Sequence, residues 1–167
     1  ASDNDLRRLL LVHSWQVATK ALKCASKHSE LNIDKVLVLR GALLHDIGIF
    51  ETHAPSIFCN GTKHYLMHGF IGAKMLRNLG LEAEARICER HTGAGLSKEA
   101  VIQAGIDVPP HDYFPETLEE KLICYADKFY SKSRPQNELL FQQAYDSLLK
   151  FGVSGAARFA QWHKMFG

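Results

Sequence analysis

Apolar residues recur along most of this chain at three- and four-residue steps, the period of one face of an α-helix. From Asp5 to His28, Leu6, Leu9, Leu10, Val17, Ala21 and Ala25 form such a stripe. His13 falls on it, four residues from both Leu9 and Val17. A second helix follows Asn32, a residue suited to N-capping. Val36-Leu37-Val38-Leu39 and Ala42-Leu43-Leu44 make it apolar nearly all round, which predicts the central buried helix. It ends at His45-Asp46-Ile47-Gly48, with Gly48 as its stop signal. A third helix is predicted from His64 to Leu79, closed by Gly80, with His68, Ile71, Gly72, Met75 and Leu79 on one face. A fourth, Glu82 to His91, aligns Glu84, Cys88 and His91 and stops at Gly93 and Gly95.

Two stretches break the pattern. The first, Phe50 to Thr62, reads as a loop containing Pro55, Cys59 and Gly61. The second, Gly93 to Glu116, carries a short helix after Ser97, then Pro109-Pro110 and Pro115. A connection this long inside a domain often serves as a lid or pocket wall. A fifth long helix opens with the capping box Thr117-Leu118-Glu119-Glu120 and runs through Cys124-Tyr125-Ala126-Asp127, aligning Asp127 with Ile123 and Tyr130. Helices from Glu138 to Phe151 and from Ser154 to Phe166 complete the pattern, and no strand is predicted. The expected fold is an all-α, single-domain helical bundle over residues 1–167. Its motif-bearing core covers about 9–134, and the C-terminal helices, 137–166, pack on that core.

Composition adds bounds rather than detail. A length of 167 residues fits one core, and 46% hydrophobic with 23% charged residues is ordinary for a globular chain. A net charge of +2 without a Lys/Arg block argues against a DNA or RNA duplex or an acidic membrane surface as partner. About 18 consecutive apolar residues, enough to span a bilayer, occur nowhere. Nor does a basic segment followed by an apolar run stand at the start, so export is not expected. The four cysteines, Cys24, Cys59, Cys88 and Cys124, contain no C-x-x-C pair. Three of them lie in apolar helical stretches and read as reduced core thiols, which points to a cytoplasmic protein.

The nine histidines direct the search for chemistry. His13, His45, Asp46, His68, His91 and Asp127 each sit on or near the buried face of a predicted helix. A buried imidazole or carboxylate is costly unless it is hydrogen-bonded, ion-paired or metal-bound. Any one of these histidines alone reads as a satisfied core residue or a surface residue. The four histidines and two aspartates in this arrangement exceed the four ligands of a closed zinc site and suit a pair of divalent ions such as Fe, Mn, Zn, Co or Ni. Two ions about 3.5–4 Å apart can activate water and clamp a phosphoryl oxygen. His28, His53, His111 and His163 lack this context and are assigned to surface or loops, and Cys88 to the core.

The order His13 … His45-Asp46 … Asp127 resembles the H…HD…D signature of the HD-domain superfamily. Gly41-Ala42-Leu43-Leu44-His45-Asp46-Ile47-Gly48 is similar to the motif of its HDIG subgroup. His68-Gly69-Phe70-Ile71-Gly72-Ala73 resembles the H-x-x-x-G-A pattern that follows it, and Tyr125-Ala126-Asp127 the terminal Ala-Asp. The resemblance covers Leu9 to Arg134. It implies a helical bundle and a metal-dependent phosphohydrolase, with a small phosphorylated or nucleotide-like substrate attacked by a metal-activated hydroxide. His13, His45, Asp46 and Asp127 would hold one metal, and His68 and His91 a second, with Asp46 bridging as the catalytic carboxylate. Whether the enzyme is a phosphomonoesterase, a phosphodiesterase or a pyrophosphatase stays open, as does homodimerisation. The same ligands also serve a mixed-valent di-iron oxygenase in one branch, and a non-catalytic metal- or nucleotide-binding module is a further alternative. One position departs from the pattern: Ile49 stands where many HDIG proteins carry a phosphate-binding lysine. Lys63, His64, Lys128 and Arg134 are the candidate substrate-binding residues in its place; Lys63, Lys128 and Arg134 read equally as solvated surface cations, and His64 as an outer-sphere acid or a helix N-terminal residue.

Overall fold

A computed structural model describes residues 3–167. Eight helices follow in order: α1 (Asp3–Lys27), α2 (Lys35–Leu44), α3 (His68–Asn78), α4 (Glu82–Arg90), α5 (Lys98–Ala104), α6 (Leu118–Asp127), α7 (Phe141–Leu149) and α8 (Val153–Phe166). The main core lies among α1, α2, α4, α6 and α8. Val17, Ala18, Ala21 and Ala25 of α1 meet Val38 and Ala42 of α2, Ile87 of α4, Leu122 and Ile123 of α6, and Phe159 and Trp162 of α8. The alanines of α1 and α2 let these two helices approach closely, and the large side chains of α6 and α8 fill the remaining volume. A smaller cluster, Ala73, Leu76, Ala85 and Cys88, joins α3 to α4. A third, Leu9, Ile49, Ile57 and Cys59, ties α1 to the loop after α2. The C-terminal helices therefore share the core of the motif-bearing segment, as an all-α bundle requires.

Several boundaries differ from the periodic reading. The cap of α2 is Asp34, whose carboxylate accepts from the amides of Val36 and Leu37 at 2.9 and 3.0 Å. Asn32 instead takes a left-handed conformation, φ 49°, at the end of a preceding 3-10 turn. Residues Tyr65–Met67 form a 3-10 turn, so α3 proper begins at His68. Gly48 is not a left-handed stop, since its φ is −83°. What demands glycine there is proximity: a Cβ would run into the His68 carbonyl oxygen and the Gly72 amide. Where α3 crosses the end of α2, Gly48, His68 and Gly72 thus meet backbone against backbone.

The expectation of no strand is corrected by two short antiparallel hairpins. β1 (His53–Ala54) pairs with β2 (Cys59–Asn60), and β3 (Tyr130–Ser131) with β4 (Arg134–Glu138). Strands this short and polar carry no alternating signal, because their pairing depends on tertiary context more than on propensity. β4 also takes residues assigned to the next helix, which starts at Phe141 rather than Glu138. All four cysteines are free. Among the described residues no helix is long and apolar enough to cross a membrane.

Candidate metal centre

The ends of four helices and the middle of a fifth converge on one point. His13 projects from within α1. His45 and Asp46 directly follow α2, His68 opens α3, His91 directly follows α4, and Asp127 is the last residue of α6. All six side chains are buried, with Asp46 and His45 fully so. Helix ends suit this purpose, because several backbones can bring side chains to a common point without steric conflict between the helix bodies. The close seating of Gly48 against α3 and of Gly69 against the Cys88 carbonyl brings α2, α3 and α4 near enough to share one cluster.

Asp46 organises the arrangement. Its Oδ2 lies 3.3 Å from His13 Nε2 and 3.2 Å from His45 Nε2. Its Oδ1 lies 3.4 Å from His68 Nε2 and 3.3 Å from His91 Nε2. Asp127 Oδ1 completes the first group, 2.9 Å from His13 and 3.5 Å from His45. His68 Nε2 and His91 Nε2 are 3.0 Å apart. With metal–ligand bonds of about 2.0–2.2 Å, neighbouring ligand atoms around one ion stand about 3.0–3.5 Å apart. The distances within each group match that spacing. His13, His45 and Asp127, and separately His45, Asp46 and His91, are each close enough to hold an ion together.

The hydrogen bonds around the histidines fix which nitrogen is free. His45 Nδ1 donates to the Ala42 carbonyl at 2.7 Å, His68 Nδ1 to Tyr65 at 2.6 Å and His91 Nδ1 to Cys88 at 2.7 Å. A carbonyl can only accept, so the neutral ring in each case carries its proton on Nδ1 and turns an Nε2 lone pair inward. Two such lone pairs, from His68 and His91, face each other and need a cation between or beside them. Burial and the neighbouring His91 push the pKa of His68 down to about 3, and burial lowers that of His91, so a proton does not fill this role near neutrality. His45 differs. Burial opposes its charge, but Asp46 and Asp127 beside it raise its pKa to about 9. Burial also opposes ionisation of the carboxylates, yet Lys132 and His45 hold Asp46, and Lys128 and His13 hold Asp127, well below the usual carboxylate range. Both oxygens of Asp46, His45 Nε2 and His13 Nδ1 are buried without a well-directed hydrogen bond. Buried polar atoms without a directed partner are rare in a protein interior, and this set of imidazole nitrogens and carboxylate oxygens fits divalent ions.

The four candidates for substrate contact are placed less uniformly. Lys128 Nζ pairs with Asp127 Oδ2 at 2.7 Å and so borders the cluster. His64 is exposed and its ring accepts the Leu66 amide at 3.2 Å, capping the 3-10 turn before α3. Lys63 and Arg134 are exposed, and among the described residues their side chains form no ion pair. The sequence reading missed Lys132. It sits in the β3–β4 turn, and its Nζ lies 2.6 Å from Asp46 Oδ2, an ion pair made in distance rather than by a well-directed hydrogen bond. A lone lysine between two serines in a polar stretch reads as solvated, and nothing local marks its contact with a residue on another helix.

The profile of the HD domain family matches residues 10–131. The chain belongs to the HD domain family. This HD domain is 44% identical over 127 residues to an uncharacterized protein of Methanocaldococcus jannaschii, a match covering 75% of this chain and 66% of that protein. It is 34% identical over 157 residues to the tRNA (cytidine(56)-2'-O)-methyltransferase of Thermoplasma volcanium, covering 93% of this chain and 41% of that enzyme. The chain therefore spans just under two thirds of one relative and less than half of the other. Among solved structures it is similar to the HD domain of the L. monocytogenes phosphodiesterase PgpH in complex with cyclic-di-AMP, with a TM-score of 0.54 and 21% identity over 93% of this chain and 88% of that one. At that identity the likeness is one of fold.

Proposed function

We propose that this HD domain is a metal-dependent phosphohydrolase acting on a nucleotide-like or other small phosphorylated substrate. One observation carries the reading: Asp46, fully buried, turns one carboxylate oxygen to His13 and His45 and the other to His68 and His91. A carboxylate shared in this way suits two ions better than one. In this reading His13, His45, Asp46 and Asp127 would hold the first ion, and Asp46, His68 and His91 the second. When bound, the ions supply a water of lowered pKa and neutralise charge on phosphoryl oxygens. The chain's own contribution is to fix the ligands. The backbone carbonyls of Ala42, Tyr65 and Cys88 hold three imidazoles in register, and the dry surroundings keep the electrostatic interactions strong.

The relatives suggest where to begin. The PgpH domain is complexed with a cyclic dinucleotide, and the Thermoplasma relative carries the name of a tRNA-modifying enzyme. Nucleotides and cyclic dinucleotides therefore come first in a phosphate-release panel, followed by dinucleoside polyphosphates and sugar phosphates. Protein purified anaerobically and assayed with Mn²⁺ or Co²⁺ is expected to hydrolyse members of this panel. Asp46→Ala is expected to abolish turnover and strip metal while the helical circular dichroism persists. Full metal content together with full turnover in that variant would remove Asp46 from the site. Oxygen-dependent turnover with a mixed-valent iron signal, without phosphate release, would assign the same ligands to an oxygenase. Tight nucleotide binding without turnover would make the domain a binding module.

A further inference from the structure

The residue after the HDIG motif is Ile49, not lysine. Ile49 is fully buried among Leu9, Ile57 and Cys59. The cation nearest Asp46 arrives from the opposite end of the sequence. Lys132, in the turn between β3 and β4, extends inward until its side chain is 12% exposed and its Nζ is 2.6 Å from Asp46 Oδ2. Its stem also lines a pocket of about 370 Å³ at the edge of the cluster, with Ser56, Tyr65, Ser131 and Ser133. The Tyr65 ring stacks on His68, with centroids 4.7 Å apart. None of the six cluster residues lines this pocket, but two of its lining residues contact them, Lys132 at Asp46 Oδ2 and Tyr65 at the His68 ring.

Lys132 and a divalent ion compete for the same oxygen. Oδ2 is also the atom that faces His13 and His45 at 3.3 and 3.2 Å. An ammonium in contact with this oxygen is repelled by an ion bound to it. An ion held by Asp46 would weaken this ion pair, and the flexible four-carbon stem of Lys132 would let its ammonium move to another position within reach. The adjoining space is the pocket, which Ser56, Tyr65, Ser131 and Ser133 line beside Ala54 and Ile57; the hydroxyls of Ser131 and Ser133 bond each other at 2.9 Å, and an oxyanion would draw on that pair. A cation there would stand beside the cluster and not at a remote end of a substrate.

Building on the phosphohydrolase reading, we infer that Lys132 is a substrate anchor: released from Asp46 when the cluster is loaded, it grips the phosphoryl group that is cleaved, while the serine-lined pocket takes the adjoining, hydroxyl-bearing part of a small phosphate ester. The anchor enters from the β3–β4 hairpin instead of from the residue after the HDIG motif.

The test compares wild type with Lys132→Met, Lys132→Gln and Lys132→Arg, all loaded with Mn²⁺. Metal per chain, inorganic phosphate affinity by calorimetry, and KM and kcat on the best substrate of the panel are measured. Losing a hydrogen bond to a charged partner is expected to weaken phosphate binding about ten- to hundredfold in the Met and Gln variants, with metal content retained. KM should rise in parallel and kcat fall less, and Lys132→Arg should recover much of both. Lys132→Gln serves if the Met variant does not fold. Unchanged phosphate affinity and KM at full metal content would reduce Lys132 to a counter-ion of Asp46 and overturn the inference while the hydrolase reading stands. Loss of metal from the Met and Gln variants would likewise overturn it, making Lys132 a support of the cluster. If loaded wild type neither binds phosphate nor releases it from any substrate, the hydrolase reading falls first and the anchor with it.

Discussion

Asp46 and the histidines around it illustrate how a residue's role depends on what its unused atoms can reach. His68 and His91 each spend Nδ1 on a carbonyl three residues earlier, and burial keeps the remaining nitrogen unprotonated. Their removal should be separable from removal of the first group. On the two-ion proposal, His68→Ala is expected to lose one ion and keep the other, because His13, His45, Asp46 and Asp127 remain. Metal analysis of dialysed protein checks this, and loss of all metal would show that the two groups do not bind independently. The six residues were legible in the sequence because each combined a metal-capable side chain with an apolar helical position. Lys132 was not legible. Its two serine neighbours give it a solvated appearance, and its partner lies 86 positions away in the chain, the difference between 132 and 46.

The helices were largely readable from periodicity, since burying one face imposes a repeat on any helix of several turns. The capping box at Thr117 and Glu120 was readable for a similar reason, as it is complete within four residues: Thr117 Oγ1 accepts the Glu120 amide at 3.1 Å, and Glu120 returns the contact to the Thr117 amide at 3.3 Å. The hairpins were not, because two- to five-residue strands carry too few positions to alternate. Gly48 shows the intermediate case. A glycine after a helix suggested a stop, whereas the packed structure uses it as a point of contact with α3. Gly48→Ala is therefore expected to push α3 away from the α2 end, at a cost of about 1–3 kcal/mol in stability, and to displace His68 from Asp46. A lower denaturation midpoint together with reduced metal content would bear this out; unaltered values for both would show that the crossing tolerates a methyl group.

At the scale of the whole molecule, one cluster ties α1, α2, α3, α4 and α6 together at their convergence. Ions bound there stabilise the folded chain only, by about 2.7 kcal/mol at a hundredfold excess over Kd. Chelation should accordingly lower the thermal midpoint, and Mn²⁺ should restore it; a midpoint indifferent to chelator would mean that the cluster is held by its own hydrogen bonds and ion pairs. The amino-acid sequence by itself determined the all-α class, the helices and the six side chains that meet, because each of these leaves a local trace in spacing and residue type. Only the tertiary structure decided how Asp46 divides its oxygens between two histidine pairs, that α3 crosses the end of α2 at Gly48, and that Lys132 reaches the cluster from a hairpin. Those features are contacts between residues far apart in the chain, whose geometry is set by how the helices pack.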